Sequence, residues 1–368
     1  MESQNHTSSF AKYSTDHTMN SVDKIFISIV VPCYNEEAIL TINLTTIINY
    51  LDNKSYKYSW EILIINDGSK DRTGQIADEF ANQRKEIKVI HHPSNLSLGR
   101  ALQTGFCNSK GDVIVVLDVD LSYSVEYIEE MVDKLREAAA DIVIASPYMK
   151  GGKVTAVPFA RRILSRWVNR FMRMASQDKY YTFTGMVRAY RRDFIRTLNL
   201  KTKDYEINPE IIYKGIILRA RMIEIPAHLD WSEQNKFSGQ RKSSLRILRS
   251  FFSGIMSSFI FRPYMFFIGI GMFLMALSLV ELVWLLYDTI SYMAIGNSPS
   301  SQLISFPQSL SVQFKRNPQT FLVGGITFVI AMQFLSVGFL SLQNKRYFEE
   351  LFHMGTSLKK QIERIESS

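Results

Sequence analysis

The sequence predicts an α/β domain with a mostly parallel central sheet, followed by two transmembrane α-helices. Short runs rich in β-branched residues alternate with segments of helical apolar spacing over residues 24–235, and this order is typical of parallel sheets with right-handed crossovers. From residue 263 onward, two long uncharged apolar runs replace that pattern. The chain of 368 residues contains 46% hydrophobic and 12% aromatic residues, which excludes global disorder.

Composition divides the chain into five segments. The first is polar and lacks the apolar region of a signal peptide, so we expect a disordered tail. In chain order, the segments are this tail (1–23), the α/β domain (24–235), a basic segment beside the membrane (236–262), two transmembrane helices with an external loop at 291–316 (263–343), and a cytoplasmic C-terminal helix (344–368).

The elements of the α/β domain follow from local pattern. The predicted strands are "KIFISIVVPCYN", "WEILIINDGS", "IKVIHH", "VIVVLDVD" and "ADIVIAS". The predicted helices are "EEAILTINLTTIINYLDN", opened by Asn35, then "DRTGQIADEFANQR", "LGRALQTGFCNS" and "SVEYIEEMVDKLREA". Ligands of parallel sheets bind beyond the carboxyl ends of the strands. The polar clusters "PCYNEE", "NDGS" and "DVD" therefore predict a site at one edge of the sheet.

Asp118 and Asp120 end a strongly apolar strand. In extended backbone, side chains two residues apart share one face, and two adjacent carboxylates repel each other unless a cation or hydrogen-bond donors separate them. This pattern favours a site for Mg²⁺ or Mn²⁺ beside substrate phosphates. The alternative is an ordinary aspartate cap on the next helix.

The net charge of +8 suggests an anionic partner, namely phosphates, nucleic acid or a membrane surface. The cysteines, Cys33 and Cys107, provide neither a disulfide framework nor a CxxC pair, which fits a reducing compartment. His91 and His92 are interpreted as a strand end, because no acid or cysteine at ligand spacing accompanies them.

Two apolar runs, residues 263–287, uncharged as far as residue 280, and residues 321–342, are each long enough to cross a hydrocarbon core of roughly 30 Å. Basic residues flank them on the outer sides, whereas the connecting loop contains only Lys315 and Arg316, so both termini and the α/β domain are expected on the cytoplasmic side. Glu281 lies within the first run, and we interpret it as a snorkelling or helix-pairing residue.

Two common nucleotide-binding motifs are absent from the sequence. A dinucleotide-binding domain needs GxGxxG after a strand, and "SLGRALQTG" has the wrong spacing. A Walker P-loop is absent as well. Any nucleotide phosphates must therefore be held by a metal and by basic side chains.

Four motifs in order, "SIVVPCYNEE", "INDGSKDRTG", "LGRALQTGF" and "DVDLS", resemble the N-terminal half of glycosyltransferase family 2, with its GT-A-type fold. Within that family, the chain is similar to polyprenyl-phosphate glycosyltransferases of the dolichol-phosphate mannose or glucose synthase kind, which carry membrane helices after a catalytic domain. The resemblance covers residues 25–248. It implies transfer of a sugar from a UDP- or GDP-sugar to a polyprenyl (dolichyl) phosphate, with inversion at C1.

The resemblance also implies roles for individual residues. Pro32, Tyr34 and Glu36 line the nucleotide pocket, and Asp67 accepts a hydrogen bond from the base. Asp118 contacts the ribose or the metal. Asp120 binds a divalent cation, Mg²⁺ or Mn²⁺, that bridges the diphosphate and stabilises the charge growing on the leaving oxygens.

The second half of the domain departs from the family pattern. Pro147 stands where the family has an arginine, and Thr184 lies in the neighbourhood where the family often has an aspartate. "YEINPEIIYKG" resembles the later acidic motif, and we favour Glu206 for catalysis and Glu210 for structure. The latter would sit in the favourable first turn of a helix.

Basic residues near the predicted membrane suggest contacts with phosphate. By resemblance, Arg241 and Lys242 close over the diphosphate, although a juxtamembrane anchor for anionic lipids accounts for them nearly as well. The segment "RRILSRWVNRFMRM" is a basic amphipathic helix, expected to lie on membrane lipids or to guide a lipid phosphate. Its arginines, on one face, are Arg162, Arg166, Arg170 and Arg173. With two membrane spans beside these charges, nucleic acid is a poor partner.

Two other functions remain open at this point. A processive synthase or another enzyme with a hydroxyl acceptor is disfavoured, because Ile163 replaces the glutamine of a QxxRW motif and two helices make a poor pore. A catalytically silent nucleotide-sugar-binding membrane protein is disfavoured by the intact Asp67, Asp118 and Asp120. The transmembrane helices also offer a surface for homo-oligomerisation.

Overall fold

The computed structural model describes residues 24–176, 180–232, 263–296 and 305–366. Its strands are β1 (Ile25–Cys33), β2 (Tyr58–Asn66), β3 (Ile87–His91), β4 (Val113–Val116), β5 (Ile142–Ser146), β6 (Lys153–Thr155), β7 (Arg188–Arg191), β8 (Met222–Pro226) and β9 (His228–Asp230). Its helices are α1 (Glu37–Asn53), α2 (Thr73–Gln83), α3 (Leu98–Asn108), α4 (Tyr127–Glu137), α5 (Phe159–Ser176), α6 (Arg192–Thr197), α7 (Ile207–Ile217), α8 (Pro263–Gly296), α9 (Phe306–Arg316) and α10 (Pro318–Glu366).

The central sheet has seven strands in the order β3-β2-β1-β4-β7-β5-β8. Strands β3, β2, β1 and β4 run parallel to one another, and β5 runs parallel to β8. Strand β7 lies antiparallel between β4 and β5. The predicted mostly parallel sheet is therefore confirmed, with one reversed strand that the local pattern did not indicate.

The sheet is buried on both faces, as continuous apolar strands require. Along β1, Ile27, Ile29 and Val31 belong to the core that also contains side chains of α1 and α4. Val30 points to the opposite core, which contains side chains of α3 and α7. Because the side chains alternate between the two faces, helices pack on both sides of the sheet. A ligand site can then form only where the strands end.

The first helix begins later than the sequence predicts. We expected Asn35 to cap α1, but the helix starts at Glu37 with Glu36 in the cap position. Asn35 adopts a left-handed backbone conformation, with φ of 56°, which asparagine tolerates better than most residues. Its side-chain Oδ1 accepts a hydrogen bond from the Lys70 amide at 2.8 Å, so it ties the β1–α1 loop to the β2–α2 loop.

Two C-terminal helices are long and apolar enough to cross a membrane. The candidate spans are Pro263–Ala294, with a mean hydropathy of 2.3, and Pro318–Leu358, with a mean hydropathy of 2.0. Helix α9 occupies part of the segment that we expected to be a loop. Helix α10 continues through the expected C-terminal helix as one element of 49 residues, about 74 Å long at the usual rise, and so extends well beyond a hydrocarbon core.

Helices α8 and α10 pack closely through small residues. A Cβ atom added at Gly338 would lie 2.6 Å from Ile268 Cγ1, and one added at Gly324 would lie 3.1 Å from Glu281 Oε2. The Ser278 hydroxyl donates a hydrogen bond to the Gly324 carbonyl at 3.2 Å. Close backbone approach through small residues is typical of helix pairs in membranes. The position of Glu281 beside α10 agrees with the helix-pairing interpretation.

Candidate active site

The predicted polar clusters lie together at one edge of the sheet. Strand β1 pairs in parallel with β2 and β4, so these neighbouring strands end on the same side. Cys33 at the end of β1 is level with Asn66 at the end of β2. Glu36, Asp67 and Asp118 follow the three strand ends within a few residues. The topology thus confirms the positional argument made from the strand ends.

Three carboxylates form an electrostatic cluster at this edge. Burial, together with the negative charges of Asp120 and Glu36, raises the pKa of the Asp118 carboxyl well above its ordinary value. Beneath them, the pKa of the Cys33 thiol is raised by burial and by the charges of Glu36 and Asp118. Burial and like charges therefore both disfavour the ionised form of Asp118.

The aspartates lie in a turn after the strand and not within it. Strand β4 ends at Val116, and the Leu121 amide donates a hydrogen bond to the Asp118 carbonyl at 3.1 Å. The Ser122 amide donates to Asp120 Oδ1 at 2.9 Å. Leu121 has a φ of 49°, a left-handed conformation that closes the turn at a cost in backbone energy. The turn, not strand alternation, holds the two carboxylates near each other.

The donor set fits a hard divalent cation only if a substrate completes it. Carboxylate oxygens are the ligands that Mg²⁺ and Mn²⁺ prefer, and a cation would neutralise the charge that raises the Asp118 pKa. Across the described residues, no group of three or more His, Cys, Asp or Glu side chains is arranged to hold a metal. Asp118 and Asp120 would supply two ligands, and phosphate oxygens and water would supply the others.

Arg161 is the basic residue whose charge acts on Asp118. It was not among the residues selected from the sequence. Its guanidinium carbon lies 4.1 Å from the centroid of the Trp231 ring, within cation–π range. Loss of hydration lowers the pKa of Arg161, whereas the charges of Tyr205, Asp118 and Asp120 oppose that shift. Arg161 therefore lies within electrostatic reach of both aspartates.

The two arginines chosen from the sequence have other surroundings. Arg162 is half-buried, with its guanidinium carbon 5.7 Å from the Phe159 ring centroid. Arg166 is exposed, and its charge acts on the Tyr148 hydroxyl. The sequence pointed to this helix, but the arginine whose charge acts on Asp118 and Asp120 is Arg161, which was not among the four residues selected.

Polar contacts hold α5 in this position. Asn169 is 2% exposed, and its Oδ1 accepts hydrogen bonds from the amides of Phe183 at 2.7 Å and Thr184 at 3.3 Å. One turn earlier, Ser165 Oγ accepts a hydrogen bond from the Tyr148 hydroxyl at 2.7 Å. The segment around Thr184, where a family aspartate is absent, thus serves here to anchor the helix that carries Arg161.

Asp67 occupies a separate, buried position at the end of β2. Its Oδ1 lies 2.7 Å from His92 Nδ1 and accepts a hydrogen bond from the Leu96 amide at 2.9 Å. The other ring nitrogen of His92 lies 3.0 Å from Thr104 Oγ1. Within the described ranges, no hydrogen bond reaches Asp67 Oδ2, although the side chain is only 5% exposed. His92, interpreted only as a strand end, orients this carboxylate.

Gly68 allows the loop after Asp67 to approach the next loop. Its φ is +67°, and an added Cβ would lie 2.3 Å from the Ser94 carbonyl carbon.

The residues that the sequence predicted for the nucleotide pocket lie at the end of β1 and just after it. Pro32 is half-buried and level with Ile65, and Tyr34 is 37% exposed.

Glu206 and Glu210 have different environments. Glu210 is 3% exposed, accepts hydrogen bonds from the amides of Lys201 and Thr202 at 2.9 and 3.0 Å, and pairs with Lys214 Nζ at 2.6 Å. These donors lower the pKa of Glu210 against the opposing effect of burial. Glu206 is half-buried at the start of α7, one residue after the exposed Tyr205 that acts on Arg161. The structural interpretation of Glu210 agrees with its contacts.

The loop before α7 is held against α3. The Gln103 side-chain amide donates a hydrogen bond to the Thr202 carbonyl at 2.7 Å, and the Arg100 amide donates to the Lys203 carbonyl at 3.2 Å. A Cβ atom added at Gly99 would lie 2.6 Å from the backbone of Thr202 and Lys203. This close approach explains the first glycine of "LGRALQTGF". The predicted contacts of Arg241 and Lys242 lie outside the described residues.

Comparison with known proteins agrees with this geometry. The family model "Glycosyl transferase family 2" matches residues 28–198. A polyprenol monophosphomannose synthase of Mycolicibacterium smegmatis is 30% identical over 205 residues, which cover 54% of this chain and 75% of that protein. The chain belongs to glycosyl transferase family 2, and its α/β domain has the GT-A type of fold.

Other relatives have similar names. A dolichol-phosphate mannosyltransferase of Pyrococcus furiosus is 31% identical over 203 residues, 54% of this chain and 55% of that protein, so the match spans little more than half of its length. A dolichyl-phosphate beta-glucosyltransferase of Trichomonas vaginalis is 24% identical, with 63% of this chain and 72% of that protein covered. These names support the subgroup to which the motifs point.

Solved structures are more distant. A glucosyl-3-phosphoglycerate synthase from Mycobacterium tuberculosis, in complex with Mn²⁺, uridine diphosphate and phosphoglyceric acid, aligns with a TM-score of 0.44 at 18% identity. The alignment covers 64% of this chain and 78% of the other. A likeness of this size carries no argument about ligands.

Proposed function

We propose that this protein transfers a sugar from a nucleoside-diphosphate sugar to a polyprenyl phosphate at the cytoplasmic surface of a membrane, with inversion at C1. One observation carries the proposal. Glu36, Asp118 and Asp120 lie near the carboxyl ends of the strands, with Arg161 within electrostatic reach of the two aspartates, in a chain with two helices able to cross a membrane. Names of relatives that act on dolichol-phosphate and polyprenol monophosphate point to the same acceptor.

The donor would occupy the edge between the ends of β1, β2 and β4. Asp67 Oδ2 accepts a hydrogen bond from the base, and Tyr34 and Pro32 line its pocket. Asp118 and Asp120 would hold Mg²⁺ or Mn²⁺, which when bound would supply charge neutralisation for the leaving nucleoside diphosphate.

Arg161 would bind a phosphate group of one of the substrates. Held against Trp231, its guanidinium is oriented before substrate binds, which reduces the reorganisation needed during the reaction. A phosphate group, which can accept from the guanidinium through two oxygens at once, is a better partner for Arg161 than a hydroxyl. We infer that Arg161 positions the phosphate of the acceptor, or of the donor, next to the carboxylates.

A phosphate acceptor needs no strong general base. A phosphomonoester has a second pKa of about 6 and is mostly dianionic at neutral pH, whereas a sugar hydroxyl is barely acidic. The segment around Thr184 contributes backbone amides to Asn169 in place of a family aspartate. Glu206 then has a secondary role, and Glu206→Gln reduces the rate only modestly.

The test offers purified protein in lipid nanodiscs the same labelled nucleotide-sugars with a polyprenyl phosphate, a polyprenyl alcohol or a free sugar. We expect transfer into the lipid phase with the phosphate alone, and an anomeric configuration in the product opposite to that of the donor. Preference for the alcohol or the sugar, or total loss of activity in Glu206→Gln, would show that a hydroxyl is the acceptor. Absence of any turnover with an otherwise folded, donor-binding protein would favour the silent binding protein.

A further inference from the structure

Helix α10 has two opposite faces, of which one is packed within the chain. Positions seven residues apart face the rest of the molecule: Gly324, Ala331, Gly338, Lys345 and Phe352 are buried or half-buried. Lys345 Nζ lies 5.5 Å from the Tyr264 ring centroid in α8, and Lys214 Nζ of the α/β domain lies 5.5 Å from the Phe352 ring centroid.

The opposite face carries an unbroken heptad pattern. Residues recur there at alternating spacings of three and four over five heptads, which is the a/d pattern of a coiled coil. We call this set the α10 seam: Val323, Ile326, Ile330, Gln333, Val337, Leu340, Asn344, Tyr347, Leu351, Met354 and Leu358. All its members are exposed, from 37% at Ile330 to 63% at Leu351 among the apolar ones. Nothing described in this chain covers the seam.

Two polar members show that lipid alone does not suit the seam. Gln333 is exposed near the middle of an uncharged run that extends from residue 317 to 344. A side-chain amide in hydrocarbon needs a hydrogen-bond partner, and pairing across helices satisfies it. Asn344 follows where the apolar run ends, and a polar residue at an a position specifies register in parallel coiled coils.

The C-terminal part of the seam is exposed in this chain. Tyr347, Leu351, Met354 and Leu358 are 55%, 63%, 61% and 59% exposed. They lie in the last part of the candidate span, which reaches Leu358. Contiguous apolar surface of this kind marks an interaction site.

We propose that the α10 seam pairs with the same seam of a second copy of this chain in a parallel, left-handed coiled coil. Both copies enter the membrane in the same direction, so the pairing is parallel and in register, with Gln333 opposite Gln333 and Asn344 opposite Asn344. With roughly 100 Å² exposed on each apolar seam residue, pairing buries roughly 1,800 Å² in total, within the range of about 1,200–2,000 Å² for specific interfaces. The proposal is independent of the acceptor proposed above.

Cysteine cross-linking in native membranes tests the pairing. Cys33 is buried and Cys107 is exposed, so Cys107→Ser gives a suitable background. Single cysteines are placed at Leu351, Met354 and Leu358 on the seam, and at the exposed His353 beside it as the matched control. We expect disulfide-linked dimers on mild oxidation at the seam positions and at least about tenfold less at His353. Equal cross-linking at His353, or none at any seam position, overturns the proposal.

A second measurement tests the amide in the membrane. Gln333→Leu keeps the helix apolar and removes the amide, and we expect the dimer to weaken about 3- to 30-fold in detergent, measured by mass as a function of protein concentration. The double variant Met332→Gln/Gln333→Leu retains an amide but moves it off the seam, and it should not restore pairing. An unchanged dimer in Gln333→Leu, or full rescue by the double variant, contradicts the assignment of Gln333. A monomeric unmodified chain in both experiments excludes a second copy as the partner and leaves lipid as the covering surface.

Discussion

Arg161 stacks on Trp231, with its guanidinium carbon 4.1 Å from the ring centroid, and this contact places a cation opposite the carboxylates of the β4 turn. We expect Arg161→Ala to lower kcat/KM about 10- to 100-fold, because a charge-assisted contact to phosphate is lost. Arg161→Lys should recover only part of the activity, since an ammonium cannot bind bidentately. The exposed Arg170 on the same helix provides the control, Arg170→Ala. Equal losses in the two alanine variants would contradict a specific role for Arg161.

Removal of one carboxylate charge should separate catalysis from folding. Asp120→Asn keeps the size of the side chain and its hydrogen bond from the Ser122 amide but removes the charge that a hard cation requires. We expect transfer to fall at least about 100-fold and the thermal unfolding temperature to stay within a few degrees. Asp112→Asn, an exposed acid before the same strand, serves as the control. Full activity of Asp120→Asn in chelated buffer would exclude the metal role.

The buried pair Glu210–Lys214 should matter for stability, with little effect on the site. Both side chains are buried, so Glu210→Gln leaves Lys214 without its charged partner, and we expect a loss of about 3–5 kcal/mol in the free energy of unfolding. The exposed pair Lys134–Glu137, at 3.7 Å, is the control, and Glu137→Gln should cost less than about 1 kcal/mol. Denaturant titration in detergent measures both. Similar small losses would show that the buried pair contributes no more than a surface one.

The same pair predicts a pH dependence with a definite sign. The folded-state pKa of Glu210 is lowered, so its contribution to stability is complete above the unfolded pKa of about 4.3 and is lost as pH falls through the lower folded pKa. Relative to Glu210→Gln, the unmodified chain should therefore lose stability below about pH 4.3. A difference between the two proteins that stays constant from neutral pH into the acid range would contradict this assignment.

Topology remains a prediction from the basic flanks of the spans. A reporter fused after Ser368 should be cytoplasmic, and a tag inserted at residues 298–301 should be external. Protease protection in sealed vesicles distinguishes the two sides. If both tags are protected from the same side, the two-span arrangement is wrong.

Much of the site could be predicted from the sequence, because strand ends are local features. Buried strands need continuous apolar runs, and the residues that follow them reach the same edge in any parallel sheet. Asp67, Asp118 and Glu36 were placed in this way, and the topology confirmed their common edge. The two candidate membrane spans could also be predicted from the sequence, since a helix that crosses hydrocarbon must be long and apolar.

Other features depend on residues distant in the sequence, and only the tertiary structure decided them. Helical spacing cannot say which of the five arginines on α5 acts on the aspartates, because the position of that helix depends on Asn169 and its bonds to residues 183 and 184. The pairing of His92 with Asp67 joins two loops, and the insertion of β7 between β4 and β5 depends on long-range strand pairing. The sequence alone determined where the buried strands lie, to within a few residues, and which helices can cross a membrane, because both follow from local hydrophobicity. Tertiary packing decided which charged side chains interact, because the strength of an electrostatic interaction depends on the distance between the groups in space.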